Sequence, residues 1–154
     1  MSKRKKIFST ACPHVLLVED MKLNRDLIVM LLEREEYEVT AVANALDALQ
    51  AMAEHLFDIV LMDVRMEGMD GLTAMKIVRS CEQGHVPTED LADNLTDNLI
   101  DQLRGKRTPT IIMTASSNAE DKNRGLNAGA DEFLPKPFTP EELFFVLEKV
   151  VDAT

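Results

Sequence analysis

Cysteine is scarce in this chain of 154 residues: Cys12 and Cys81 are the only two, far apart and without the spacing of metal ligands. That pattern excludes a disulfide scaffold or a zinc site and suits a reducing compartment. No stretch approaches the ~20 consecutive apolar residues of a transmembrane helix. Ile7 to Pro13 is too short and too polar to follow the basic start as a signal-peptide core. There is no internal repeat and no low-complexity segment. Basic side chains are outnumbered, 17 against 27 acidic, giving a formal net charge of -10. Such a surface repels nucleic-acid phosphates and anionic membranes. Lys3 to Lys6 is the one basic run, and with no aromatic or apolar face beside it, it reads as a solvated tail. These absences leave a soluble cytoplasmic domain with neither nucleic acid nor membrane as partner.

What is present is enough for a single core. Hydrophobic residues make up 45% of the chain, and a domain of this size buries roughly 68–70% of its unfolded-chain surface. Val15 to Val18 and Ile59 to Met62 are short and fully apolar, as strands covered on both faces are. Further strands are expected at Val39–Val42, Thr110–Met113 and Asp131–Leu134. Between them lie helical repeats. Leu23, Leu27 and Leu31 with Ile28 and Leu32 mark the first helix; Leu46, Leu49, Met52, Ala53 and Leu56 mark the second, capped by Asn44. Asp70-Gly71 opens a third, Ala119–Ala128 forms a polar helix, and a closing helix starts at Pro140 with Leu143, Val146, Leu147 and Val150 facing inward and Phe145 outward. Strands alternating with helices mean βαβ units and a parallel sheet. The expected fold is α/β, a flavodoxin-like doubly wound sheet of five parallel strands in the order 2-1-3-4-5. Its expected extent is 14–151, after a tail at 1–13 and before one at 152–154.

One segment interrupts this rhythm. Residues 80–108 are far longer than an ordinary helix-to-strand connection. Within them Thr88 is a candidate cap, Leu91, Leu95, Leu99 and Leu103 recur every fourth residue, and Asp90, Asp93, Asp97 and Asp101 line another face. The segment reads as a helical insertion packed on its own domain, or else as a docking or dimerisation helix. Its Asp and Asn residues lack the glycine and terminal glutamate of a calcium loop.

Nearly every strand ends in a residue that metal-assisted phosphoryl chemistry uses. The first runs into Glu19 and Asp20, the third into Asp63, the fourth into Thr114, and the fifth leads to Lys136. In an open parallel sheet the ligand site lies outside the carboxyl ends of the strands, where strand order reverses. Carboxylates gathered there repel one another by about 4 kcal/mol per pair at ~4 Å and an effective dielectric of ~20. They must share a proton or a cation. With oxygen donors alone, and no His or Cys nearby, the cation indicated is Mg²⁺. Phosphoryl transfer asks for in-line positioning and charge neutralisation, which a metal and an ammonium supply.

The runs Val15-Leu16-Leu17-Val18-Glu19-Asp20, Asp63-Val64-Arg65-Met66 with Met69-Asp70-Gly71, Ile112-Met113-Thr114-Ala115 and Lys136-Pro137-Phe138 together resemble the receiver domain of two-component response regulators. The resemblance implies that Asp63 accepts a phosphoryl group from a phosphohistidine on a histidine kinase or phosphotransfer protein. It also implies that Asp20, Asp63 and the Arg65 carbonyl bind Mg²⁺ directly while Glu19 acts through a metal-bound water. Lys136 and Thr114 would contact the phosphoryl oxygens, Thr114 and Phe133 would form a switch, and Lys136-Pro137 would be cis. The implied output surface for a downstream target or a homodimer is the helix from Ala119, strand five and the last helix. With no DNA-binding module after Thr154, output is expected through docking, and phosphoryl gain and loss at Asp63 would be self-catalysed. Asn24-Arg25 is similar to receivers of hybrid kinases and phosphorelays.

The chain departs from the family's pattern at Glu67 and Gly68, where a proline and a variable residue are usual, which implies a looser loop. Ala45 replaces a common glycine, and Arg65 and Ser116 sit where receivers tune acyl-phosphate lifetime. Rival readings are a haloacid-dehalogenase-type aspartyl phosphatase, a flavodoxin-like cofactor binder and a degenerate receiver acting only by binding. The first needs a second Asp where Arg65 stands; the second needs a phosphate loop that Met21-Lys22-Leu23-Asn24 does not supply.

Overall fold

The computed structural model describes residues 13–115 and 119–153, the side chains at 119, 121 and 151–153 excepted. The basic run Lys3–Lys6, Cys12, Ser116 and Thr154 lie outside the described residues. Five strands, β1 (His14–Val18), β2 (Glu38–Val42), β3 (Ile59–Asp63), β4 (Thr110–Thr114) and β5 (Glu132–Pro135), form one sheet in the order β2-β1-β3-β4-β5. All four pairings are parallel, as the expected order requires. Every residue of β3 and β4 is buried, whereas the edge strand β2 is partly open. That difference explains why the inner strands are unbroken apolar runs while β2 carries Glu38 and Thr40.

Six helices cover the two faces: α1 (Lys22–Arg34), α2 (Ala45–Glu54), α3 (Gly71–Glu82), α4 (Asp93–Leu103), α5 (Ala119–Ala128) and α6 (Pro140–Ala153). One core joins Val15, Leu17, Leu61 and Met113 to α1 and α6, and the other joins Leu16, Val60, Met62 and Ile112 to α2, α3 and α4. Alternate residues of one strand thus feed opposite cores, as the period of two demands. Local chemistry starts the helices. Asn44 Oδ1 accepts the Asp47 amide at 2.8 Å to cap α2, and Asp70 Oδ1 accepts that of Thr73 at 2.8 Å to cap α3. Thr139 and Glu142 form a reciprocal capping box at α6, at 2.8 and 3.1 Å, around Pro140 in the first helical position. Leu143, Val146, Leu147 and Val150 are buried and Phe145 is 66% exposed, as expected. The helix continues to Ala153, past the expected boundary at 151.

Three expectations are corrected. On α1 only Ile28 and Leu32 are buried; Leu23 is 81% and Leu27 50% exposed. A spacing of four residues advances 400° around a helix, so the Leu23-Leu27-Leu31 line drifts off the face that meets the sheet. On α2 the exposed Leu46 and the residue Leu56, which lies beyond the helix end, leave packing to Ala45, Ala48, Leu49 and Met52. In the insertion, Thr88 caps nothing. Gly84 (φ +77°) stops α3, and α4 begins only at Asp93 after Ala92, so Asp90 and Leu91 lie in the loop before it. The leucine face of α4 is turned inward: Leu95, Leu99, Ile100 and Leu103 are buried against α2 and α3. The packed reading of the insertion therefore holds, and the leucine face of α4 itself is not a docking face.

The insertion is anchored by a largely enclosed arginine, its side chain 14% exposed. Arg79 Nη1 donates to the Glu82 carboxylate at 2.8 Å and to the Thr108 carbonyl at 2.9 Å; Nη2 donates to the Gly129 carbonyl at 2.9 Å and Asp131 at 3.2 Å. Glu82 in turn accepts the Thr108 amide at 2.8 Å, and Asp131 accepts that of Thr110 at 2.8 Å. One guanidinium thus ties α3, the insertion's exit and the starts of β4 and β5. Removing one partner of a buried ion pair leaves the other uncompensated. Arg79→Ala is expected to lower the unfolding free energy by about 3–5 kcal/mol in urea denaturation. Arg79→Lys should recover only part of that loss, because an ammonium lacks the planar fork.

Candidate functional site

The carboxyl ends of β1, β3 and β4 and the turn after β5 meet at one edge of the sheet. Glu19 extends the β1–β2 pairing, its amide donating to the Val42 carbonyl at 3.1 Å, which turns its side chain inward to complete burial. Asp20, one residue on, is exposed. Asp63 closes β3 and is 7% exposed. Lys136 is rooted by its amide, which donates to the Thr114 carbonyl at 2.7 Å, and is followed by a cis peptide to Pro137 as expected. From there its ammonium crosses β4 and donates to Glu19 Oε1 at 2.6 Å and Asp63 Oδ2 at 3.1 Å.

The ionisation of the three follows from that bridge. At Glu19 burial works against the charge, but the Lys136 hydrogen bond, the Met21 amide at 3.1 Å and the lysine's charge prevail, and its carboxyl is held below the ordinary value. At Asp63 burial is the largest influence; Lys136 opposes it, while the Glu19 charge adds to it, and its carboxyl is pushed up. Burial disfavours the Lys136 ammonium, yet hydrogen bonds to Glu19 and Asp63 outweigh that and raise it. Asp63 is therefore the acid least satisfied by the protein alone.

Oxygens of Glu19, Asp20 and Asp63 lie within 4.8 Å of one another, a spacing and a donor set that fit a hard divalent cation. Both Glu19 oxygens already accept hydrogen bonds, from Lys136 and Met21, whereas Asp20 is open. Thr114 and Phe133, expected as a pair, line one cavity of about 170 Å³ with Val64, Arg65 and Asp70. Phe133 packs edge-on over Gly125 of α5, where a Cβ would overlap its ring. Arg65 is exposed in the loop after β3, and Glu67 and Gly68 lie beyond it. That loop is closed at its base by the Gly71 amide, which donates to the Val64 carbonyl at 2.9 Å. Ala45 is buried in the first turn of α2 without disturbing its cap.

Two contributors escaped the sequence. Arg25 donates to the Glu19 carbonyl at 2.9 Å and the Asp20 carbonyl at 3.4 Å, pinning the acid loop from one turn into α1. Its spacing from the acid pair was the available signal. Gly71 is the other: a Cβ there would overlap the Asp63 carbonyl oxygen, so α3 can start this close to the site only with glycine.

Known proteins are similar to this chain in sequence and in fold. A model described as "Response regulator receiver domain" matches residues 15–88 and 94–148. The chain is 39% identical over 133 residues to Probable histidine kinase 1 of Oryza sativa subsp. indica, covering 80% of this chain and 14% of that protein. It is 30% identical over 145 residues to Protein PetR of Rhodobacter capsulatus, covering 94% of this chain and 51% of that one. The chain thus spans about half or less of the length of these curated relatives. Among solved structures, the receiver domain of the sensor histidine kinase PA1611 of Pseudomonas aeruginosa, with a magnesium ion coordinated in its active-site cleft, is 30% identical at a TM-score of 0.71, covering 92% of this chain and 99% of that one. Chemotaxis response regulator CheY4 of Vibrio cholerae is 28% identical at a TM-score of 0.70, covering 90% and 98%. The strand order, the gathered acids and these matches lead to one assignment: the chain belongs to the receiver domains of two-component signal transduction systems.

Proposed function

We propose that Asp63 is the phosphoacceptor of a receiver unit spanning 14–151, and that Lys136, Thr114 and a Mg²⁺ ion held at Asp20, Asp63 and the Arg65 carbonyl complete its site. The observation that carries this reading is the Lys136 ammonium bridging Glu19 and Asp63, beside an exposed Asp20. Glu19, with both oxygens engaged, contributes through water. The bound cation supplies charge neutralisation to the entering phosphoryl group. An Asp63 oxygen attacks the phosphorus of a donor phosphohistidine; the new P–O bond forms as the N–P bond breaks, and imidazole leaves with the electron pair and takes a proton. Lys136 neutralises the phosphoryl oxygens, and the Thr114 hydroxyl donates to them. The donor is a histidine kinase or a histidine phosphotransfer protein.

Output follows from Thr114 and Phe133 sharing a cavity: drawing the Thr114 hydroxyl toward a phosphoryl group changes the space open to the Phe133 ring. The affected face is α5, β5 and α6, where Leu126 and Phe145 are exposed for a downstream protein or a second copy. Met21, Leu23 and Leu27, which follow the acid pair in the chain, are exposed and offer a contact surface for the donor. Among the described residues no helix is long and apolar enough to cross a membrane. No nucleic-acid contact enters this reading, and the only chemistry is the domain's own phosphorylation and dephosphorylation.

Incubation with Mg²⁺ and phosphoramidate should add one phosphoryl group to the wild type by intact mass and none to Asp63→Asn; an adduct surviving in the variant would move the acceptor elsewhere. Lys136→Met should slow phosphorylation by about 10²–10³-fold while leaving a metal-dependent remainder. The ionisation directions give a third expectation. The raised carboxyl of Asp63 lets protons compete with Mg²⁺ above the range of an ordinary aspartate, so Mg²⁺ affinity, read by calorimetry, should already fall as pH drops toward that raised value. The same sign means that ionised Asp63 opposes folding at neutral pH without metal. Asp63→Asn should therefore raise the metal-free Tm, by about 2–4 °C for each ~1 kcal/mol, and lose the further rise that Mg²⁺ gives the wild type.

A further inference from the structure

The loop that leads into α4 does more than connect. Together with the start of α2 and the loop after β3 it walls a groove of about 810 Å³ that opens at Asp20. Leu46 and Leu91 supply its apolar surface; Leu46 is half exposed, and Leu91 is partly buried against the core. Its rim carries Asp20, Asp47, Glu67 and Asp90, one from each of four chain segments. Asp20, Glu67 and Asp90 are exposed, as is Asp47, whose carboxylate meets only the Asn44 amide group at 3.1 Å. Among the described residues none of the four is ion-paired with a lysine or arginine. An aliphatic floor under an unneutralised acidic rim complements a segment whose leucine-type side chains face down and whose Lys and Arg side chains face up. Asp20 lines the groove and its carboxylate lies within 4.8 Å of that of Asp63, so a segment seated there comes close to Asp63.

We propose that this groove, completed by Asp90 and Leu91 of the insertion, docks a basic amphipathic segment of the protein that donates the phosphoryl group. This rests on the phosphoacceptor reading of Asp63. A chain of net charge -10 repels a donor that carries phosphate, and a basic segment seated on the rim reverses the sign of that encounter. The insertion then selects the donor, while the chemistry stays with Asp63 and Lys136.

The test uses the full chain and a fluorescein-labelled helical peptide with leucines on one face and lysine and arginine on the other. The control peptide carries glutamate in place of every basic residue. Fluorescence anisotropy should show the basic peptide binding, with affinity falling steeply as salt rises, and the acidic peptide not binding. Asp47→Asn combined with Asp90→Lys should weaken binding at least tenfold while phosphorylation by phosphoramidate stays within twofold of wild type, which also shows that the variant is folded. Equal affinity in wild type and variant, or no binding by wild type, overturns the proposal. Binding that appears only after residues 1–8 are removed would mean that the chain's own Lys3–Lys6 fills the groove, and the donor assignment falls. Failure of phosphoramidate to modify wild-type Asp63 would instead remove the phosphoacceptor reading, independently of the peptide result.

Discussion

Two buried carboxylates and the partly buried ammonium that bridges them, at the edge of a parallel sheet, set the terms for the site. Glu19 and Asp63 come from neighbouring strands and would repel each other without Lys136 between them. The lysine in turn loses hydration that only those acids replace. Its reach across β4 depends on strand order, because β5 must lie two places from β3 on the same side. The bridge satisfies the two acids unequally. Glu19 receives the shorter contact and a backbone amide and is stabilised as an anion, whereas Asp63 is left with a charge its surroundings disfavour. A carboxylate in that condition gains from any added positive charge, and the open Asp20 beside it provides the place for one.

Much of this was legible in the order of residues because strand ends, period-two apolar runs and acid positions are local signals that a parallel sheet assembles in only one way. β1, β3 and β4 were readable because burial on both faces leaves no polar residue inside them. α5 and α6 were readable from their boundaries at Ala119 and Pro140. What escaped depends on geometry between elements. The face of α1 that meets the sheet is set by its crossing angle, so Leu23 and Leu27 look like core residues in a sequence and are solvent-facing in the fold. Thr88 has the chemistry of a cap but no helix to cap, because four more residues pass before α4 begins at Asp93. Arg25 binds backbone carbonyls, so only its spacing from Glu19 and Asp20 hints at its role in the sequence.

Charge is distributed with similar economy on the far edge of the sheet. There Arg79 meets two carbonyls and two carboxylates, and each carboxylate also accepts a backbone amide, so no member of the cluster is left half satisfied. The two buried ionic clusters lie at opposite ends of β4. One is fully compensated by the protein and ties the framework together; in the other, Asp63 keeps a charge its surroundings disfavour.

The Gly105 amide donates to the Glu82 carbonyl at 2.8 Å, so the chain leaves the domain at the end of α3 and returns to the same spot. A detour that closes on itself imposes no geometric demand on the strands around it. Entry and exit coincide, so the strand framework need not stretch to hold α4, whose buried side chains close over α2 and α3.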